Sequence, residues 1–189
     1  MSDTTKRALE ESLKHMLLKK PLDKISISDI TNDCGISRMT FYYHFNDIYD
    51  LVEWVCAEEA RAALSDDRTA ETWQMGFQSL LEAVRVNKPF ILNVYRSVDR
   101  AQIEHYLLHV TENLLMSVIE EQSRDLQISD ENKRYVANFF KFGFVGIMLE
   151  WIHYGMKEEP AKIATMTGKI IQGDFRQALE RLSVGKKSP

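Results

Sequence analysis

Twenty residues near the amino terminus, Ser26–Phe45, constrain the fold of this chain more than any other stretch. Ser26 is followed three residues later by Asp29, the spacing at which a hydroxyl and a carboxylate cap the start of a helix reciprocally. Gly35 then supplies the conformational freedom that ends a helix. Between the cap and this glycine, three apolar positions repeat at helical spacing: Ile27, Ile30 and Cys34. The pattern predicts a short helix, followed by a turn, with its apolar side facing inward.

A second short helix follows the turn, and its composition indicates its role. Ser37 can cap it, while Phe41 and Phe45, four residues apart, can anchor it to a core. The positions turned outward or to the margins are Arg38, Met39, Thr40, Tyr42, Tyr43 and His44. No acid occurs between Ser37 and Phe45, and hydroxyls, rings and an arginine suit phosphate oxygens and base edges. The pattern favours a DNA-binding helix-turn-helix, although a helical hairpin with an aromatic-rich surface would share it.

Three segments in this region carry a resemblance to a known family: Ile25–Ile30 (ISISDI), Cys34–Arg38 (CGISR) and Thr40–Phe45 (TFYYHF). In order and spacing they resemble the DNA-binding domain of TetR-family transcriptional regulators, over about the first sixty residues. The resemblance implies a homodimer that binds double-stranded DNA, with a recognition helix at Ser37–His44. It also implies a divergent C-terminal helical domain that senses an effector.

The same resemblance assigns roles to individual positions. The residues expected to hold phosphates are Thr40, Tyr42 and His44. The residues expected to read bases are Arg38, Met39 and Tyr43. With the two helix starts, the candidate DNA-binding residues are Ser26, Ser37, Arg38, Met39, Thr40, Tyr42, Tyr43 and His44. The family usually has a lysine at the start of the next helix, where this chain has Ile48, so one phosphate contact is in doubt.

Composition indicates a soluble globular protein of the cytoplasm. Apolar residues make up 44% of the 189 residues, charged residues make up 28%, and the net charge is −4. Residues 1–46 hold seven Lys or Arg and six acids, so the acidic balance lies in the remainder. A mildly basic head on an acidic body fits a protein that touches DNA at one end. Cys34 and Cys56 are expected to be reduced core residues, and no cofactor is implied.

No membrane segment is predicted either. The first twenty residues form a charged amphipathic pattern, unlike a signal peptide. The most apolar run, Phe139–Ile152, is interrupted by Lys141 and Glu150 and is too short to span a bilayer.

Helical periodicity continues to the carboxyl end, so the predicted class is all-α with about nine helices. A helix-turn-helix DNA-binding domain is expected at residues 1–47, and a helical effector-sensing and dimerisation domain at 48–189. A long helix is predicted from about Ala101 to Leu126, another after Ser129, and a last one from Pro160 as one continuous stripe to Leu182.

The C-terminal domain offers candidates for two further surfaces. Six aromatic residues could line an effector pocket, or simply form a core: Trp73, Phe77, Phe90, Tyr95, Tyr106 and Trp151. The last two helices carry more apolar surface than one chain of this size needs, which predicts a four-helix interface between two copies. The interface candidates are Phe140, Phe144, Met148, Trp151, Ile170 and Phe175.

Other functions have weaker support. His105 and His109 have metal-ligand spacing on one helix face, which leaves a metal-binding hydrolase as an alternative, but no third ligand is evident nearby. A helical protein-interaction module is a second alternative. An enzyme is not expected, because phosphate-binding loops and nucleophile elbows are missing. His44–Leu51 and Phe142–Leu149 resemble a branch in Gram-positive bacteria that includes activators of dihydroxyacetone-kinase operons, where a kinase-like protein partner carries the signal.

Overall fold

The all-α class is confirmed. A computed structural model describes residues 2–63, 69, 71–97 and 100–185, except for the side chains of residues 2, 100–102 and 106. Within these ranges the chain forms ten α-helices and one short 3-10 helix, and extended pairing is limited to an isolated bridge at Leu126. The elements in order are α1 (Ser2–Leu17), the 3-10 helix (Leu22–Lys24), α2 (Ile27–Asp33), α3 (Arg38–His44), α4 (Ile48–Ala63), α5 (Trp73–Val86), α6 (Lys88–Ser97), α7 (Arg100–Gln122), α8 (Asp130–His153), α9 (Pro160–Ile171) and α10 (Asp174–Leu182).

Side-chain caps define the starts of several helices, as the sequence predicts. At α2 the Asp29 amide donates to the Ser26 hydroxyl at 3.1 Å, and the Ser26 amide donates to the Asp29 carboxylate at 2.9 Å. Ser129 accepts from the Asn132 amide at the start of α8. Each cap satisfies backbone donors that the first helical turn leaves without a partner, which typically contributes about 1 kcal/mol.

The chain divides into two compact units. One comprises the residues up to Glu59 together with Val86–Ile103, and the other comprises Ala60–Arg85 with the residues from Glu104 onward. The first unit therefore contains the helix-turn-helix and α6. The functional boundary expected between residues 47 and 48 is a different kind of division and stays a prediction.

The first unit is built around one apolar cluster. It draws on α1, both helices of the helix-turn-helix, α4 and α6: Leu9, Leu13, Leu17, Leu22, Ile25, Ile30, Phe41, Phe45, Leu51, Val52, Val55, Phe90 and Val94. Because these side chains are almost fully shielded from water, their burial is the main stabilising term for the unit. The orientation of α3 therefore depends on residues from both ends of this unit's sequence.

An amide on α6 also ties the turn between α1 and α2. The Asn93 side-chain nitrogen donates to the backbone carbonyls of Leu17 at 2.9 Å and Lys20 at 3.1 Å. Its oxygen accepts from the Leu22 amide at 3.0 Å. These backbone groups lie where α1 ends and the 3-10 helix begins, so they have no helical partners of their own. Asn93 thus positions the segment that leads into the helix-turn-helix.

The core of the second unit is aromatic. The ring of Phe144 on α8 makes edge contacts with Trp73 at 5.6 Å and Phe77 at 4.9 Å between centroids. Trp73 also contacts Phe175 of α10 at 5.6 Å. These edge-to-face arrangements are the geometry that aromatic quadrupoles favour. They join α5, α8 and α10.

The prediction of one continuous helix after Pro160 is wrong. The chain ends α9 at Ile171 and begins α10 at Asp174, with Gly173 between them at φ 81°. That left-handed conformation is accessible to glycine without steric cost, so the glycine permits the chain to turn. The long helix predicted to reach Leu126 also ends earlier, at Gln122.

Helix α8 has the length and apolar composition of a membrane span. The helix comprises Asp130–His153, whereas the apolar run seen in the sequence covers only Phe139–Ile152. The run alone is therefore shorter than a membrane span, although the whole helix is long enough. Eight of its residues are buried within the chain: Val136, Ala137, Phe144, Val145, Met148, Leu149, Trp151 and Ile152. Its apolar character is therefore accounted for, in large part, by the core of the second unit.

Candidate nucleic-acid interface

Two buried rings hold α3 in place. Phe41 is fully buried and Phe45, its C-cap residue, is nearly so. At the other end, the Ser37 hydroxyl accepts from the Thr40 amide at 3.1 Å and lies 2.9 Å from the Thr40 hydroxyl. The anchors and the cap that the sequence predicts are therefore present, and they fix which side of the helix faces outward.

The outward side of α3 exposes large side chains. Met39 is 84% exposed and Tyr43 is 83% exposed, values unusual for side chains of this size. The other predicted DNA-binding residues are exposed, as for Ser26, Ser37, Arg38 and Tyr42, or half-buried, as for Thr40 and His44. The structure therefore brings Arg38, Met39, Tyr42 and Tyr43 onto one continuous short helix that leaves them open to a partner.

Charged groups beside the motif have defined partners. Lys20 pairs with Asp29 at 3.0 Å. A hydrogen bond from the Ser26 backbone, with the Lys20 contact, lowers the pKa of Asp29 to about 2. Within α3 itself the residue types are basic, polar or apolar, without a carboxylate. The helix thus presents no negative charge of its own to a phosphate backbone.

The start of α4 differs from the family pattern. Asp47 accepts from the amides of Tyr49 at 2.8 Å and Asp50 at 2.9 Å, and Asp50 in turn accepts from the Asn46 amide and side chain. Ile48 is half-buried against the apolar cluster of the first unit. Carboxylates therefore cap this helix, and Ile48, at the position where the family usually has a lysine, offers no side-chain donor to a phosphate.

The structure adds a supporting residue that the sequence did not single out. Trp54 on α4 contacts Phe45 at 5.8 Å between ring centroids. Lys6 of α1 lies 5.4 Å from the Trp54 ring and 5.5 Å from the Phe45 ring. Cations over aromatic faces are attracted by the ring quadrupole. The end of α3 is thus held from both α1 and α4. The sequence signal for Trp54 was only that it is a large aromatic residue in an apolar helix, which does not reveal its contact with α3.

The residues predicted for an effector pocket occupy several environments. Phe90 belongs to the apolar cluster of the first unit, whereas Trp73 and Phe77 pack on Phe144 in the second. Trp151 is buried, with its indole nitrogen donating to the Glu158 carbonyl at 2.9 Å. Tyr95 is half-buried, and the side chain of Tyr106 lies outside the described residues. These contacts are those of core packing, and the pocket stays a prediction.

The residues predicted for a dimer interface mostly face the chain's own core. Phe144, Met148, Trp151 and Phe175 are buried, and Phe140 packs on Phe175 at 4.5 Å. The four buried residues are therefore not available to a second copy in this conformation. Phe140 is half-buried, and Ile170 is the one residue of the six that is widely exposed. The large apolar side chains left exposed in this region are Tyr135, Phe139 and Phe142 on α8, Tyr154 directly after it, and Met166 and Ile170 on α9.

The two histidines considered as metal ligands are both exposed on α7. Among the described residues, no group of three or more His, Cys, Asp or Glu side chains comes together in a way that could hold a metal ion. The described part of the chain therefore does not supply His105 and His109 with the further ligands that a zinc site requires.

Comparison with known proteins identifies the family. Residues 71–173, more than half of the chain, match the family TetR_C_8, described as a transcriptional regulator C-terminal region. The chain belongs to the TetR family of transcriptional regulators. DNA binding through a helix-turn-helix is typical of this family, and its members are regulators and not enzymes. The resemblance carried by the N-terminal motif and the match to the C-terminal region therefore agree.

Similar proteins include both activators and repressors. The HTH-type dhaKLM operon transcriptional activator DhaS of Lactococcus lactis is 27% identical over 153 residues, covering 80% of this chain and 81% of that protein. A solved structure of a dihydroxyacetone kinase operon activator DhaS superposes with a TM-score of 0.69 at 22% identity, covering 95% and 98% of the two chains. The TetR family repressor AlkX from Dietzia sp. gives a TM-score of 0.60 at 16% identity, covering 91% and 98%. The last two similarities establish the fold.

Proposed function

We propose that this TetR-family regulator acts as a homodimer on a palindromic operator, which it binds through α3. The observation that carries the proposal is the outward side of α3, where arginine, tyrosine and methionine side chains are exposed on a helix that contains no carboxylate. In the proposal the C-terminal helical domain, residues 48–189, controls this activity in response to an effector, and the protein works in the cytoplasm.

The dimensions of α3 suit the major groove. An α-helix with its side chains is about 10–12 Å across, and the groove is about 12 Å wide. Arg38 is the strongest candidate for base readout, since a guanidinium can donate two hydrogen bonds to a guanine edge. Thr40 and His44 carry the polar groups that phosphate contacts need.

Exposed apolar side chains on α8 and α9 support the homodimer. Phe139 and Phe142 on α8, and Ile170 on α9, are widely exposed in the single chain. Gly143 and Gly146 lie on α8 with open space beside them, where another helix could approach closely. Helices α8 and α9 from two copies would cover these side chains, and a two-fold dimer would hold two recognition helices for a palindrome.

The control signal is proposed from similarity. The relative in Lactococcus lactis is an activator of the dhaKLM operon. The resemblance of His44–Leu51 and Phe142–Leu149 to a branch that includes such activators implies a kinase-like protein partner as one source of the signal. A small-molecule effector or such a protein partner is therefore proposed for the C-terminal domain, which carries the acidic balance of the chain.

Selection of bound duplexes from a random pool, with and without cell extract, tests the proposal. We expect the purified protein to enrich a palindrome, and Arg38→Ala to weaken binding to it by roughly tenfold or more, because a good bidentate base contact contributes about 1–3 kcal/mol. Arg181→Ala, which removes an exposed arginine from α10, is the matched control and should leave affinity unchanged. If no sequence is enriched, or if both substitutions weaken binding equally, operator recognition by α3 is excluded.

A further inference from the structure

Two exposed side chains on α3 engage each other in the free protein. The guanidinium of Arg38 donates through Nη2 to the Tyr42 hydroxyl at 3.4 Å. Its Cζ atom also lies 5.9 Å from the centre of the Tyr42 ring. The two residues are four positions apart, which places their side chains one above the other on the same helical face. The arginine is therefore held by its own helix before any partner arrives.

Tyr42 is itself fixed against the core. Its ring makes an edge contact with Phe41, at 5.7 Å between centroids and an interplanar angle of 87°. Phe41 is fully buried, so its ring cannot shift without disturbing the cluster that holds α3. Buried side chains occupy well-defined rotamers because interiors are close-packed. The core therefore fixes Phe41, the Phe41 ring contacts Tyr42, and Tyr42 in turn contacts Arg38.

No ion pair between described residues includes Arg38. Its contact with Tyr42 uses one of the five donors of the guanidinium and leaves its charge uncompensated. The remaining donors stay free to form a fork on the two acceptors of a guanine edge. The contact thus orients the arginine without occupying the groups that would read a base.

From this geometry we infer that Tyr42 is a positioning residue that aims Arg38 at a base edge and so determines sequence preference. The inference rests on the proposed function, since it assigns Tyr42 a role within operator binding. A long arginine side chain loses substantial rotamer freedom when it is fixed on a base, and prior orientation by Tyr42 reduces that loss. The benefit arises only for sequences that Arg38 can read.

A phosphate contact by Tyr42, as the family resemblance implies, would behave differently. Phosphates are the same at every base pair, so loss of such a contact lowers affinity equally for all sequences. Loss of a positioning contact instead lowers affinity only for the preferred base pair. The two roles are therefore separated by measuring base preference together with affinity.

The experiment uses the full chain and four substitutions: Tyr42→Phe, Tyr42→Leu, Arg38→Ala and the matched control Tyr43→Phe. The control removes the same hydroxyl from the neighbouring tyrosine, whose ring packs on His44 and not on Arg38. Each variant, and each tyrosine variant combined with Arg38→Ala, is tested for base preference on duplexes selected by the wild type. Thermal unfolding midpoints check that α3 remains folded.

We expect Tyr42→Phe to reduce preference about two- to fivefold at the base pair where Arg38→Ala abolishes it, because the hydrogen bond from the guanidinium to the hydroxyl is lost while the ring remains. Tyr42→Leu should reduce it further, because the ring is lost too. In the Arg38→Ala background, both Tyr42 substitutions should have no further effect on base preference. Tyr43→Phe should change base preference by the same factor with and without Arg38→Ala, because Tyr43 does not act through Arg38.

Two results would overturn the inference. If Tyr42→Phe lowers affinity equally for every sequence and adds fully to Arg38→Ala, Tyr42 contacts phosphate and does not position the arginine. If the wild type selects a site but Tyr42→Phe and Tyr42→Leu leave its base preference unchanged, the contact has no role in readout. A wild type that selects no site overturns the proposed function instead, and the inference with it.

Discussion

Helices α3 and α8 both expose large aromatic side chains, yet their surfaces differ in chemistry. On α3 the exposed rings carry hydroxyls and stand beside Arg38 and His44. On α8 the exposed rings of Phe139 and Phe142 are pure hydrocarbon, and the positions near them include Gly143 and Gly146. Exposure alone therefore does not identify a partner, because each of the two surfaces would bind a different kind of molecule favourably.

Polar tips on α3 match a hydrated, negatively charged groove, where water and phosphate oxygens satisfy them. The hydrocarbon rings on α8 are stabilised when they are removed from water, which requires contact with another apolar surface. The difference predicts that binding through α3 depends strongly on salt, whereas association through α8 depends on salt only weakly. The following predictions test that contrast, from the largest expected effect to the smallest.

A charge placed on the α8 surface should disrupt self-association. Phe139→Asp removes a ring from both halves of a two-fold interface, and each buried Phe typically contributes about 1.5–3 kcal/mol. We expect the dimer dissociation constant to rise at least about 100-fold in sedimentation equilibrium, while the helical content of the chain is unchanged.

The matched control for this change is Met75→Asp, at an exposed residue of α5 that is not part of the proposed interface. It should leave the dissociation constant unchanged. A Phe139→Asp variant that dimerises as tightly as wild type would show that α8 does not form the interface.

Added salt should separate the two surfaces. Operator binding through α3 releases counterions from phosphates, so affinity should fall about tenfold or more between 50 and 200 mM NaCl, the effect of about two neutralised phosphates. Burial of hydrocarbon releases no counterions, so dimerisation should change by less than about twofold over the same range. Fluorescence anisotropy measures the affinity for the operator, and sedimentation measures the affinity between the two copies. Equal salt dependence of the two affinities would contradict the proposed difference between the α3 and α8 surfaces.

The glycines on α8 provide the most sensitive test. Alanine is favoured over glycine inside a helix by about 1 kcal/mol, and a Cβ at Gly146 meets open space in the single chain. We expect Gly146→Ala to raise the unfolding midpoint in the monomeric Phe139→Asp background. In the dimer, the same methyl group should hinder close approach and weaken association by about tenfold or less.

If Gly146→Ala lowers the dimer dissociation constant, Gly146 does not lie where the two copies approach each other most closely. Because the sign of the effect differs between monomer and dimer, the measurement distinguishes a helix-propensity effect from an interface effect.

Local rules predicted much of the candidate interface from the sequence. The caps at Ser26, Ser37 and Ser129 depend on hydrogen bonds between residues three apart, and all three are present. The anchors Phe41 and Phe45 follow from helical spacing on one short helix. Information of this kind lies within a few residues, so it can be recognised without knowing what packs nearby.

Contacts between distant segments were not predictable in this way. Asn93 binds backbone groups more than seventy residues earlier, and nothing in its own neighbourhood indicates that role. Helix α8 carries aromatic residues on nearly every side, so periodicity could not decide which of them face inward. For that reason the residues predicted for the interface included Phe144 and Met148, which the chain buries in its own core, whereas the interface that we propose from exposure uses Phe139 and Phe142.

The sequence by itself determined the all-helical class, the helix-turn-helix and the family, because each depends on short-range spacing of caps, apolar positions and motif residues. Only the tertiary structure decided which aromatic side chains remain exposed and that Asn93 binds the backbone before the helix-turn-helix. Burial is a property of what surrounds a residue in space, and helices far apart in the chain supply those surroundings.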